Sequence, residues 1–133
     1  MLIALIDKNH VLYTKATEWF DTSGHRDWGV CAFAEAGLLR LLTNPKVGSL
    51  SIEVASDVLA TLIDHPGYRF WPMEEDWATL AAPFIERVFG HQQITDAYLL
   101  GLAVKEDGIL VTMDKAIKYL AGTKYSRNVL LLE

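Results

Sequence analysis

Three acidic residues, Glu35, Asp96 and Asp114, stand out for the patterns around them. Asp96 falls in Gln93-Ile94-Thr95-Asp96-Ala97-Tyr98-Leu99-Leu100-Gly101-Leu102-Ala103, where Ala97, Leu100 and Ala103 or Val104 recur at helical spacing and Thr95 is the expected N-cap. Leu99, Leu100 and Ala103 follow Asp96 at helical intervals, so the acid lies on or beside the apolar face. Asp114 follows the apolar run Ile109 to Val111, bounded by Gly108, which has the character of a buried parallel strand. Glu35 precedes Leu38, Leu39 and Leu42 at helical intervals, which puts it in the first turn of a helix, on its most apolar face. Taken singly, each acid has an ordinary use: a cap or a partner for a helix dipole. Taken together they suggest chemistry. Carboxylates gathered where strands end and helices begin repel one another, and the usual remedies are a raised pKa or a hard divalent cation. Magnesium or manganese takes oxygen ligands, bridges carboxylates to phosphate oxygens, and activates water for in-line attack on a phosphodiester. No serine or cysteine with a partnered histidine, Gly-rich phosphate loop or dinucleotide fingerprint offers a competing chemistry.

The elements needed to position these acids follow from the chain in order. Met1 to Ile6 reads as the middle or end of a buried helix, and Thr14 to Asp21 as an amphipathic helix with Ala16, Trp19 and Phe20 inward. Ser23 to Asp27 is a polar turn, and Trp28 to Phe33 suits a short strand. The helix of Glu35 is expected over Ala34 to Thr43, with Asn44 pushed out of helical geometry by Pro45. Ser51 caps a further helix to Asp64, whose stripe is Ile52, Ala55, Leu59 and Leu62 or Ile63. His65-Pro66-Gly67 turns into a strand from Tyr68 to Trp71. Glu74 to Val88 is helical, with Trp77, Leu80, Ala81, Phe84 and Val88 on one side and a kink or restart at Pro83. A last strand is expected over Val129 to Leu132. Short apolar strands alternating with helices predict an α/β domain with a parallel sheet and helices on both faces.

Composition bounds the partners. The chain has 133 residues, 51% of them apolar, enough for one domain with its own core. No apolar run approaches the roughly 18 residues of a membrane span, and Met1 to Ile6 lacks the features of a signal peptide. A single cysteine, Cys31, excludes an intrachain disulfide and makes the cytoplasm the default location. His10, His25, His65 and His91 are too scattered for a zinc motif. A net charge of −5 argues against a broad nucleic-acid-binding surface, yet it is compatible with a nuclease whose acidic pocket holds metal.

Three blocks, in order, carry a resemblance: Ala34-Glu35-Ala36-Gly37-Leu38-Leu39-Arg40-Leu41-Leu42-Thr43-Asn44-Pro45, then Phe70-Trp71-Pro72, then Thr95-Asp96-Ala97-Tyr98-Leu99-Leu100 with Leu110-Val111-Thr112-Met113-Asp114-Lys115-Ala116. In these the chain resembles PIN-domain ribonucleases, specifically VapC-like toxins of bacterial toxin–antitoxin pairs, from Met1 to about Leu120. The resemblance implies a three-layer α/β/α fold with a central parallel sheet. It also implies that Glu35, Asp96 and Asp114 bind metal, with Thr112 as a catalytic hydroxyl neighbour. The family pattern begins with a strand ending in an aspartate. Here Met1 to Asp7 matches the helix that follows it, so that strand and its acid are expected to lie before residue 1, either beyond a late-assigned start or lost from a truncated copy. Asp7 matches the far end of the helix and is not a substitute.

These readings converge on a magnesium- or manganese-dependent endoribonuclease, with Arg40 and Lys115 as candidate RNA-binding cations and Lys118, Lys124 and Arg127 as weaker ones. The resemblance further implies a small antitoxin partner and a homodimer. Two alternatives stand beside this one: a PIN-like module that binds RNA or an antitoxin without cutting, and an unrelated α/β domain whose acids are structural.

Overall fold

The computed structural model describes every residue from Met1 to Glu133. It divides into two compact units, Met1–Pro72 and Met73–Glu133. All strand pairing is parallel, as expected, and is confined to each unit: one two-stranded sheet in the first and one in the second. Parallel neighbours cannot be joined by a tight turn, so each pair is linked through helices.

In the first unit, α1 (Leu2–Ile6) and α2 (Tyr13–Thr22) lead into β1 (Trp28–Val30). The strand is shorter than the apolar run Trp28 to Phe33 suggested. Cys31 already stands at the N-cap of α3 (Ala32–Thr43), so Phe33 is helical. Buried Leu38 and Leu42 of α3 form a core with Ala55 of α4 (Ile52–Ile63), and α1 packs onto it through Leu2, Ile3 and Ile6. Ser51 caps α4 as predicted, its hydroxyl accepting from the Val54 N–H at 3.2 Å. Ile52, expected in the apolar stripe, is instead exposed, because only the Ala55–Leu59–Leu62 side of α4 meets the core. The chain then forms β2 (Tyr68–Phe70), with Trp28 opposite Tyr68 and Val30 opposite Phe70.

In the second unit, Asp76 caps α5 (Trp77–Ala81), accepting from the Thr79 N–H at 2.8 Å. The helix expected through Val88 ends at Ala81 and continues as a 3-10 segment over Ala82–Arg87, where Pro83 supplies no amide hydrogen. Next comes α6 (Ile94–Lys105), whose first turn holds Asp96. Thr95 lies inside this helix; Gln93 occupies the N-cap position and makes no side-chain cap bond. β3 (Leu110–Thr112), α7 (Lys115–Ala121) and β4 (Val129–Leu131) complete the unit, with Leu110 opposite Val129 and Thr112 opposite Leu131. Asn128 ties the start of β4 to the turn before β3, donating from its amide to the Gly108 carbonyl at 2.9 Å. A two-stranded sheet is marginal alone, and here the stabilising surface is apolar: Phe84, Leu100 and Leu120 are fully buried together with Ala81, Ala97 and Ala121.

α5 and α6 approach so closely that a Cβ on Gly101 would strike the Leu80 carbonyl. Gly37 of α3 differs, since a Cβ there meets nothing within 4 Å. Opposite signs follow. Gly101→Ala should destabilise by about 1–3 kcal/mol through overpacking, whereas Gly37→Ala should stabilise by roughly 0.5–1 kcal/mol through helix propensity. Chemical denaturation of the two variants beside the parent measures both.

Candidate functional site

Asp96 and Asp114 line one cleft in the second unit, of about 430 Å³, whose remaining wall is the segment Phe89 to Gln93 together with Ala116. Each acid is positioned by its neighbours. Asp96 stands in the first turn of α6, and the Trp77 indole N–H fastens that turn by donating to the Ile94 carbonyl at 3.0 Å. One turn beyond Asp96, fully buried Leu100 sets this side of the helix against the core. Asp114 follows β3 directly. Its backbone N–H donates to the buried Thr112 hydroxyl at 3.0 Å, and its Oδ1 accepts from the Ala116 N–H at 2.8 Å, capping α7. Thr112 therefore acts on the turn that carries the acid, and the ordinary capping role of Asp114 coexists with a place in the cleft.

Burial, and secondarily the negative charge of Asp114, push the Asp96 carboxyl above the ordinary carboxylate range. No lysine or arginine lines this cleft to offset the two acids. A pair of carboxylates confined in this way is an oxygen-only donor set of the kind hard divalent cations take.

Glu35 belongs to the first unit. It is half-buried in the first turn of α3, beside the core that Leu38 and Leu42 enter, as its spacing predicted. Its Oε1 accepts a hydrogen bond from the Tyr68 hydroxyl at 3.2 Å. Tyr68 is itself held edge-on against Trp28, ring centroids 5.3 Å apart, and Trp28 meets Phe20 in the same manner at 5.5 Å. Burial and the neighbouring Glu35 raise the Tyr68 phenol above its usual value, so it remains a donor. Neither unit by itself gathers three or more His, Cys, Asp or Glu side chains into a metal-holding group.

The candidate cations differ in freedom. Arg40 is exposed and forms no ion pair, while Lys115 reaches Glu133 at 3.5 Å across an exposed gap. Arg127 pairs loosely with Asp107 at 3.6 Å, and Lys124 lies over the Tyr125 ring at 5.3 Å. Such exposed pairs contribute little and exchange readily. Sequence reasoning missed two features. The strand pattern gives Tyr68 no role beyond its place in β2, and its position beside Phe70-Trp71-Pro72 is the one signal in the sequence that points to it. The wall from Phe89 to Gln93 lies between the helical pattern ending at Val88 and that of Asp96, and no periodicity in the sequence marks it as part of a site.

The Asp96 shift has a consequence for stability. Because the folded-state pKa is raised, the unfolded chain releases this proton first as pH rises, and the folded state loses stability until Asp96 also ionises. The penalty is absent below the ordinary carboxylate range, grows as pH rises through it, and is complete once Asp96 itself has ionised. Asp96→Asn should therefore melt at a higher temperature than the parent at pH 7 without divalent ions, with the difference vanishing in acid. Melting curves across pH measure it.

The PIN domain family model matches residues 1–122. Among curated relatives, Ribonuclease VapC44 of Mycobacterium tuberculosis (strain CDC 1551 / Oshkosh) is 34% identical over 118 residues, covering 88% of this chain and 83% of that protein. Ribonuclease VapC38 of M. tuberculosis (strain ATCC 25618 / H37Rv) is 35% identical over 133 residues, 98% of this chain and 92% of its own length. Ribonuclease VapC39 of the same strain is 33% identical over 119 residues, with 88% and 86% covered. No helix is long and apolar enough to cross a membrane. With a family match over nearly all its length and relatives of this kind along almost the whole chain, the protein belongs to the PIN-domain family and is VapC-like.

Proposed function

We propose that this chain is a metal-dependent endoribonuclease that hydrolyses RNA phosphodiester bonds, the toxin of a type II toxin–antitoxin pair. The observation that carries the reading is the Asp96–Asp114 cleft, in which two carboxylates face each other's charge with no lysine or arginine on the wall. Its support from kinship is that relatives along almost the whole chain are named ribonucleases. Asp96 and Asp114 are the proposed metal-holding acids of the second unit, and Glu35 is that of the first. Magnesium or manganese bound by them would supply neutralisation of phosphate charge and acidification of the attacking water. The chain's own residues orient. Thr112 and the Ala116 N–H set the direction of Asp114, leaving its second carboxylate oxygen uncommitted. Tyr68 does the same for Glu35. Arg40 and Lys115 are the proposed RNA-steering cations, and Lys115 would exchange its weak contact with Glu133 for a phosphate. By kinship, the reading includes a small protein antitoxin, a homodimer and a cytoplasmic setting.

The second reading, a module that binds RNA or an antitoxin without cutting, is supported by one observation. Oδ1 of Asp114 performs the ordinary work of a helix cap.

Cleavage of single-stranded RNA with magnesium or manganese tests the choice. The nuclease reading expects divalent-dependent cutting that falls more than about 100-fold in Asp96→Asn, since even outer-shell partners of a metal ligand are worth about 10–100-fold. It also expects manganese to raise the melting temperature of the parent more than that of Asp96→Asn. RNA binding with no divalent-dependent cutting and no thermal shift selects the binding module instead.

Tyr68→Phe removes one hydroxyl and leaves the ring that packs on Trp28. It should lower metal affinity or activity about 10-fold while leaving the circular dichroism unchanged. Full activity in this variant would remove Glu35 from the proposed set or Tyr68 from its support.

A further inference from the structure

The acidic cleft does not end at its acids. A second cleft, also of about 430 Å³, shares Phe89, Gln93 and Ala116 with it and extends to Tyr119 and Arg87. The two adjoin within the second unit across these shared walls, one cleft acidic and the other aromatic. Phe89 is 87% exposed and Tyr119 80% exposed, and neither ring contacts another. Large apolar rings held in water are unfavourable unless something covers them.

Their placement is built. Gln93 accepts the Phe89 N–H on its Oε1 at 2.6 Å, fixing the backbone that presents the ring, and its amide nitrogen donates to nothing in the chain. Tyr119 projects from α7, the helix that Asp114 caps. Arg87 is the only lysine or arginine lining either cleft, and it forms no ion pair. Its guanidinium lies across Gly122, where φ is +60° and a Cβ would collide with it. A free cation, two exposed rings and a free amide donor beside an acid pair match the parts of a nucleotide: phosphate, base face and base edge.

We propose that the Phe89–Tyr119 cleft is a subsite for one unpaired nucleobase of single-stranded RNA, stacked on the exposed rings, with Arg87 drawing its phosphate and Gln93 meeting the base edge. The inference deepens the nuclease reading and rests on it, since the stacked nucleotide would flank the phosphodiester presented to Asp96 and Asp114. Stacking uses the π-face that every base has, so the subsite selects for an unpaired base more than for a particular one. The net charge of −5 fits this arrangement, because grip comes from rings and one local cation and needs no basic surface.

The test is fluorescence anisotropy with a labelled single-stranded RNA of about 12 nucleotides, within the span of known single-strand sites. It is measured in magnesium on the full-length Asp96→Asn chain, so that cutting does not interfere. Phe89→Ala and Tyr119→Ala should each weaken binding about tenfold, the usual effect of losing one base–aromatic stack. Phe89→Trp should retain binding, and a strand of the same length made of abasic ribose phosphates should bind equally to all variants. Both rings are at the surface, so the Ala variants should keep the parent's melting temperature. Unchanged RNA binding in both overturns the proposal and assigns the rings to a protein contact. Equal losses with the abasic strand, or no RNA binding by the Asp96→Asn chain at all, also overturn it. Cleavage by the unsubstituted chain is scored separately. Ring-dependent binding without any cutting would leave the base subsite standing and reject the nuclease reading.

Discussion

The placing of a partly buried carboxylate, Asp96, in one cleft with a second acid, Asp114, is the constraint around which the second unit is arranged. Burial of the Asp96 carboxyl, and secondarily the charge of Asp114 in the same cleft, disfavour its ionised form and push it above the ordinary carboxylate range. The acids stay together because the groups that carry them are fixed by interactions that do not involve charge. Phe84, Leu100 and Leu120 hold α6 and α7 in one core. Gly101 lets α6 settle on the backbone of α5, and Trp77 of α5 grips the turn that contains Asp96. On the other side, the Thr112 hydroxyl and the Ala116 amide define the turn of Asp114. Apolar burial and neutral hydrogen bonds thus hold in place an electrostatic arrangement that is unfavourable without a cation.

The first unit applies similar logic to a single acid. Glu35 stands on the side of α3 that enters the core, where an unpartnered carboxylate would be costly. Its partner is a neutral phenol held in an aromatic cluster, not a lysine or arginine. A neutral donor orients a carboxylate without cancelling its charge. This differs from a salt bridge, which would satisfy the charge internally.

The acidic total charge also becomes intelligible. A chain at −5 has little bulk attraction for a polyanion, so under the proposed reading a few groups at one place would make the contact with RNA. The proposed subsite along Phe89, Gln93, Arg87 and Tyr119 would be such a place, and it shares wall residues with the cleft of the acids. Basic residues elsewhere, such as Arg127 and Lys124, are occupied by weak surface contacts.

Periodicity and local chemistry determined much of this protein by themselves. Helical spacing identified the helices of Glu35 and Asp96, and Ser51 as a cap. Pro83 marked the break between α5 and the 3-10 segment, and parallel pairing followed from short apolar strands separated by helices. These features depend on neighbours within about one helical turn or on the alternation of element types, both of which a linear string records. Boundaries shifted where the competition was local and close: Cys31 opened a helix where a strand was expected to continue, and Thr95 fell inside α6 instead of capping it. Tertiary structure alone decided which groups meet. Tyr68 reaches Glu35 across 33 positions in the sequence. Asp96 and Asp114 share a wall with Phe89 to Gln93 because the packing of α6, β3 and α7 brings their ends together. Ile52 is exposed because its side of α4 has no core partner. A sequence pattern records which faces are apolar, but contact between distant residues depends on how those faces pack, and that is settled only when the whole unit closes around its core.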